Sequence, residues 1–172
     1  PLGGTQARLV MAPQLLEAHA ELPRELSGPE VHALWAAASL DARLVIAAVL
    51  AGLSPDELAM LRFEDIDFDA GRINLAGETR RVYMMRDPLK QLLTERRAAR
   101  GAGTLLADTH GRPLASADLE GLIACAACDA GLSNPAEVNC GLLRHTYAAY
   151  LVRQGVRLAD MDGLIGPIAP AA

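Results

Sequence analysis

Aromatic residues make up only 3% of these 172 residues. The core must therefore be built from Ala, Leu, Val and Ile, whose small side chains suit close helix packing. Basic residues are outnumbered, with 16 Lys+Arg against 21 Asp+Glu, a net charge of −5 and a pI near 5.3. That balance excludes a domain that holds nucleic acid by bulk charge alone, while leaving room for a local basic face. Lysine occurs once, at Lys90. The cysteines are Cys125, Cys128 and Cys140, an odd number without the spacing of a small disulfide scaffold. A reducing, cytoplasmic compartment is the expectation. The most apolar stretch, residues 31–53, is interrupted by Asp41 and Arg43 and contains His32. It falls short of the roughly 18 uninterrupted apolar residues of a membrane-spanning helix, so no membrane partner is expected. Repeats, low-complexity tracts, Gly-rich phosphate loops, a Ser-His-Asp order and metal-spaced carboxylates are all missing. No cofactor and no metal site is expected.

What is present is a chain 51% apolar and 22% charged with a mean hydropathy of +0.17. This is enough to bury one real core and too apolar for a disordered segment. Residues 1–25 read as a protease-cleavage remnant (Pro-Leu-Gly) followed by a weakly patterned arm, in which Pro13 and Pro23 bracket an apolar turn. A domain is expected over 26–172. Ser27 precedes Pro29 and Glu30, and Val31, Leu34, Trp35 and Ala38 recur at helical spacing. A second helix is predicted over 41–51, stopping at Gly52. Ser54, Pro55 and Glu57 form a capping box that opens a third, running to about Phe63. The period then changes to two. Ile66, Phe68, Ile73 and Leu75 alternate around a turn at 69–71, and 81–85 alternates again, predicting a small antiparallel sheet. Helical pattern returns over 88–100, 116–130 and 141–154, with a last short helix over 158–165. The fold class is mainly α with a small antiparallel β-sheet.

Two stretches in this order carry a family likeness. Ala51-Gly-Leu-Ser-Pro-Asp-Glu-Leu-Ala-Met-Leu-Arg-Phe-Glu-Asp-Ile-Asp67 resembles the T-G-L-R-x-x-E-L-x-x-L-x-W-x-D-I-D box of the tyrosine recombinase (phage integrase) catalytic domain. Leu143-Arg-His-Thr-Tyr-Ala-Ala-Tyr-Leu-Val-Arg-Gln-Gly-Val-Arg-Leu158, followed by Leu164-Ile-Gly166, is similar to that family's H-x-L-R-H-T helix and L-G-H turn. The likeness covers roughly 26 to the C-terminus and implies the mainly α recombinase fold. It also implies a chemistry. A tyrosine attacks a DNA phosphate, two arginines clamp the non-bridging oxygens, a hairpin lysine protonates the leaving oxygen, one histidine assists proton transfer, and a second His or Trp supports the phosphate.

Position by position, the working groups have been replaced. Ser54 stands at the first arginine, which the capping box already explains. Glu78 stands near the hairpin lysine, and Lys90 lies beyond the hairpin. Gly141 replaces the first histidine and Pro167 the second. Arg144, the second arginine, is retained, and no tyrosine follows Tyr150. Since losing one donor of this kind typically costs about 10²- to 10³-fold in rate, the resemblance implies a catalytically degenerate domain acting as a binding or regulatory module. Its partner is expected to be double-stranded DNA, a protein or a second copy. The alternative is a fragment of an active recombinase whose tyrosine lies beyond Ala172.

Each candidate has a bland counterpart. Arg144 either holds a phosphate or is a partly buried arginine bonding carbonyls or a carboxylate. His145 reads as a satisfied structural group, and Leu143, Tyr147, Tyr150 and Leu151 as a core face. Cys125-Ala-Ala-Cys128 has redox or half-zinc spacing, but no second pair is near, and buried small hydrophobes are the expectation. Arg80, Arg81, Arg86, Lys90, Arg96, Arg97 and Arg100 form the one basic-rich segment. It is either a DNA-facing side, with Arg80, Arg81, Arg86, Lys90 and Arg144 as the contacts, or a solvated face interspersed with Asp87 and Glu95.

Overall fold

The computed structural model describes residues 24–75, 81–157 and 160. The chain opens with α1 (Gly28–Ala37), where Ser27 accepts a hydrogen bond from the Glu30 N–H and the Glu30 carboxylate accepts one from the Ser27 N–H. α2 (Leu40–Ala51) begins one residue before its predicted start, because the Ser39 hydroxyl accepts from the Ala42 N–H at 3.2 Å. It ends at Gly52, whose φ of 109° is the left-handed conformation that suits glycine. α3 (Pro55–Met60) starts at Ser54 and is shorter than its pattern suggests. The cause is tertiary. Residues 61–62 turn extended and the segment pairs with a distant loop, Phe63 N–H donating to the Gly103 carbonyl and Leu105 N–H to that of Leu61.

A short 3-10 turn (Phe63–Asp65) leads into the sheet of β1 (Ile66–Asp67), β2 (Arg72–Leu75) and β3 (Arg81–Met84), antiparallel throughout in the order β1-β2-β3. Ile73 lies opposite both Ile66 and Tyr83, so one face carries the apolar residues inward. Arg72 lies opposite Asp67 on the outer face and pairs with it at 3.2 Å. α4 (Leu89–Arg100), α5 (Ser116–Asp129), a 3-10 turn (Pro135–Glu137) and α6 (Cys140–Arg153) complete the described chain. The fold class read from the sequence, mainly α with one small antiparallel sheet, is thus present.

α2 is the centre of the core. It packs against α4, α5 and α6, and buries Ala42, Leu44, Val45, Ile46, Ala47, Ala48 and Val49 on every side. A helix apolar all round is stable only when enclosed in this way. α1 and α3 both rest on α5. A smaller cluster at the far end of α6 joins Leu151 to Tyr147, Ala148 and Val156. Apart from residue 160, the helix expected over 158–165, the turn within 14–20 and the hairpin tip at 76–80 lie outside the described residues. None of the helices is long and apolar enough to cross a membrane, among the residues described.

Candidate functional site

The two boxes meet the structure at two helix starts. Ser54 is the N-cap of α3. Its hydroxyl accepts from the Glu57 N–H at 3.1 Å, and the Glu57 carboxylate accepts from the Ser54 N–H at 2.8 Å. The side chain at the first arginine position is therefore engaged in closing a helix.

The other start is that of α6. The Asn139 side chain caps it by accepting from the Leu142 N–H at 2.8 Å, and the Glu120 carboxylate on α5 accepts from the Cys140 N–H at 2.9 Å. A carboxylate at this end complements the helix dipole. Cys140 is buried; burial foremost, with the nearby Glu120 charge, pushes its thiol well above the usual range, and Arg144 opposes the shift. Arg144 is half-buried one turn along and does not stand alone, since it has an interaction within the fold. Gly141 is exposed, and a Cβ there would meet the Asn139 Oδ1 at 3.3 Å.

His145 is half-buried. Thr146 was unremarked in the sequence beyond its place in the second box, yet it ties α6 to the body. Its hydroxyl accepts from the buried Leu26 N–H at 3.1 Å and donates to the Leu142 carbonyl at 2.8 Å. Glu120 was equally silent; an acid twenty residues before a helix start carries no local signal. Tyr147 and Tyr150 correct the expected core stripe. Their rings stack with centroids 6.3 Å apart, Tyr147 half-buried but Tyr150 half in solvent.

The basic segment does not act as a unit. Arg96 is buried and forms an ion pair with Asp41 across α2 and α4, which removes it from any solvated or DNA-facing side. Burial, with Arg100 adding, holds its guanidinium below the usual arginine range. Arg97 lies over the Phe68 ring at 4.5 Å. Arg86, Lys90 and Arg100 are exposed. Arg86 and Asp87 border an open cavity of about 490 Å³ whose walls include Trp35, Tyr83, Met84 and Tyr147, drawn from α1, β3 and α6. Glu78, Arg80 and Pro167 lie outside the described residues, as does the side chain of Arg81. Cys125 and Cys128 are both exposed, against the expectation that they are buried small hydrophobes. Their helix turns its Leu119, Ile123, Ala126 and Ala127 face inward instead.

Residues 25–166 match the model of the phage integrase family. The chain belongs to the phage integrase family. Its fold is shared with solved recombinases. The XerA recombinase superposes with a TM-score of 0.77 at 21% identity, over 87% of this chain and 56% of that one. The integrase of mycobacterium phage Brujita gives 0.69 at 20% identity, over 85% and 50%. The lambda integrase catalytic core gives 0.65 at 22% identity, over 83% and 90%. This integrase-family chain thus spans about half the length of the first two proteins and most of an isolated catalytic core. No curated protein sequence registers as a relative.

Proposed function

We propose that this integrase-family domain is catalytically degenerate and serves as a cytoplasmic DNA-binding or regulatory module. The observation that carries the reading is the start of α3. Where the family places a phosphate-clamping arginine, Ser54 is committed to a reciprocal cap with Glu57. Gly141, at the family's histidine position, offers no proton-transfer group, so Arg144 is left without those two neighbours. One guanidinium can bind a phosphate but cannot by itself supply nucleophile, acid and clamp.

Duplex DNA is the partner the family context favours. A lambda integrase tetramer is known bound to a Holliday junction, and the Tn1549 transposon integrase in complex with transposon right end DNA. In this chain the proposed contacts are Arg80, Arg81, Arg86, Lys90 and Arg144. Binding should be weak, because Arg24, Arg62, Arg72, Arg96, Arg112, Arg153 and Arg157 each already hold a carboxylate.

A gel shift with arbitrary duplex tests this. At about 50 mM salt a shifted band is expected, with log affinity falling by about 0.9 per neutralised phosphate per log unit of salt, so a slope of about −4.5 for five contacts. Exchanging Arg86 and Lys90 for Ala should flatten that slope by about two. No shift at this salt would remove DNA and leave a protein partner or self-association.

The share of recombinase length covered favours one other reading, a piece of an active recombinase whose tyrosine lies outside this sequence. Trapping on a nicked suicide substrate with the whole protein decides it. A phosphotyrosyl adduct would overturn the degenerate reading.

A further inference from the structure

We propose that Cys125 and Cys128 form a surface dithiol that binds a soft, thiophilic acceptor bridging the two sulfurs, of the class represented by trivalent arsenicals. Both residues are exposed on α5, three positions apart. Residues at that spacing are neighbours on one helix face, with Cβ atoms about 5–6 Å apart. A disulfide needs a Cβ separation of about 3.5–4.5 Å. The intact helix therefore holds the sulfurs too far apart to bond each other, yet within reach of a single interposed atom.

That helix is not free to unwind around them. Leu119, Ile123, Ala126 and Ala127 fix its inner face in the core, and Ala130 N–H closes its end on the Ala126 carbonyl. The ligand class follows from the donor count. Among the described residues no group of three His, Cys, Asp or Glu is placed to share a metal ion. Two thiols alone suit a soft acceptor that is content with two sulfurs, and they fall short of the four ligands of structural zinc.

With phenylarsine oxide the reaction balances without redox change. Each thiol gives its proton to the arsenical oxygen, which leaves as water. Two As–S bonds replace the As=O bond, and arsenic stays trivalent.

The test is intact-mass measurement of the full chain, held reduced, after equimolar phenylarsine oxide and a wash with excess monothiol. One phenylarsenic adduct per chain is expected, released by a competing small dithiol. Cys125→Ser and Cys128→Ser should each lower affinity by about 10²- to 10⁴-fold, the loss expected when a two-point attachment becomes one-point. Cys140→Ser serves as the control and should keep the adduct. Cys125→Ser and Cys128→Ser are each expected to leave the thermal midpoint unchanged, so loss of the adduct reads chemistry and not unfolding. No adduct in the unaltered chain, or an adduct that survives either single exchange, overturns the proposal. An intramolecular Cys125–Cys128 disulfide formed by mild oxidation of the folded chain would also overturn it, since the sulfurs would then be closer than the helix allows.

Discussion

α2 and α6 are close in length and pack against each other, yet they face different constraints. Seven of the twelve residues of α2 are buried, and they point in every direction. α6 buries only Cys140, Leu143, Thr146 and Leu151, and leaves Gly141, Tyr150 and Val152 to solvent. A position enclosed by packing can change only at the cost of a cavity or a clash. A position on an open helix face can lose its side chain with little consequence for the fold. On the proposed degenerate reading, that contrast is what would let the scaffold outlive the family's chemistry. The positions read from the sequence as the family's arginine and histidine, Ser54 and Gly141, lie at a helix cap and an open helix start, outside the enclosed centre. The residues that build the centre have no such freedom.

The largest expected effect therefore belongs to α2. Leu44 is fully buried, and Leu44→Ala should cost about 2–5 kcal/mol through lost transfer energy and the cavity left behind. Urea unfolding measures it. A cost under about 1 kcal/mol would mean that α2 is not the closed centre described here.

The second prediction concerns the charge pair that links α2 to α4. Asp41→Ala strands the Arg96 guanidinium, whose side chain is 10% exposed. It should cost about 2–3 kcal/mol, less than a fully buried pair because Asp41 keeps a third of its own surface in water. Arg96→Met replaces the charge with an apolar chain of similar length and should cost distinctly less. If the two variants are equally destabilised, the loss comes from packing and the stranded-charge argument fails.

Much of this centre was legible beforehand. The cap residues Ser27 and Ser54 announce their helices, because capping is chemistry between residues three apart. The alternation of Ile66, Ile73 and Leu75 announces the sheet for the same local reason. What sequence could not show depends on contacts far along the chain. α3 ends early because residues 61–63 pair with 103–105. Arg96 reads as one more solvated charge until Asp41 is brought to it. The Cys-Ala-Ala-Cys run is apolar at every position, so hydrophobic periodicity cannot say which side of the helix faces in. The site divides along the same line. The substitutions at 54 and 141, and the arginine kept at 144, are visible by comparison with the motif, whereas the roles of Glu120 and Thr146 appear only when α6 is docked.

Thr146 sharpens the comparison from the side of α6. Thr146→Val keeps the shape but leaves the buried Leu26 N–H without its acceptor, so about 1–3 kcal/mol should be lost. Hydrogen exchange should show the Leu26 amide opening faster while α2 amides keep their protection. Unchanged exchange at Leu26 would mean that this bond does not dock α6.

The smallest effect should come from the position where the family keeps a histidine. Gly141→Ala gains helix propensity, which in an exposed helix is about 0.5–1 kcal/mol. Opposing it, the new Cβ meets the Asn139 Oδ1 at 3.3 Å, so the capping side chain must shift by a few tenths of an ångström. The cap's bond to the Leu142 N–H is worth about as much as the propensity gained. The two terms should nearly cancel, leaving a net change within about 0.5 kcal/mol by urea titration. A loss above 2 kcal/mol would mean that glycine is required at this site by the fold, and the absence of the histidine would then report on packing instead of on freedom from it.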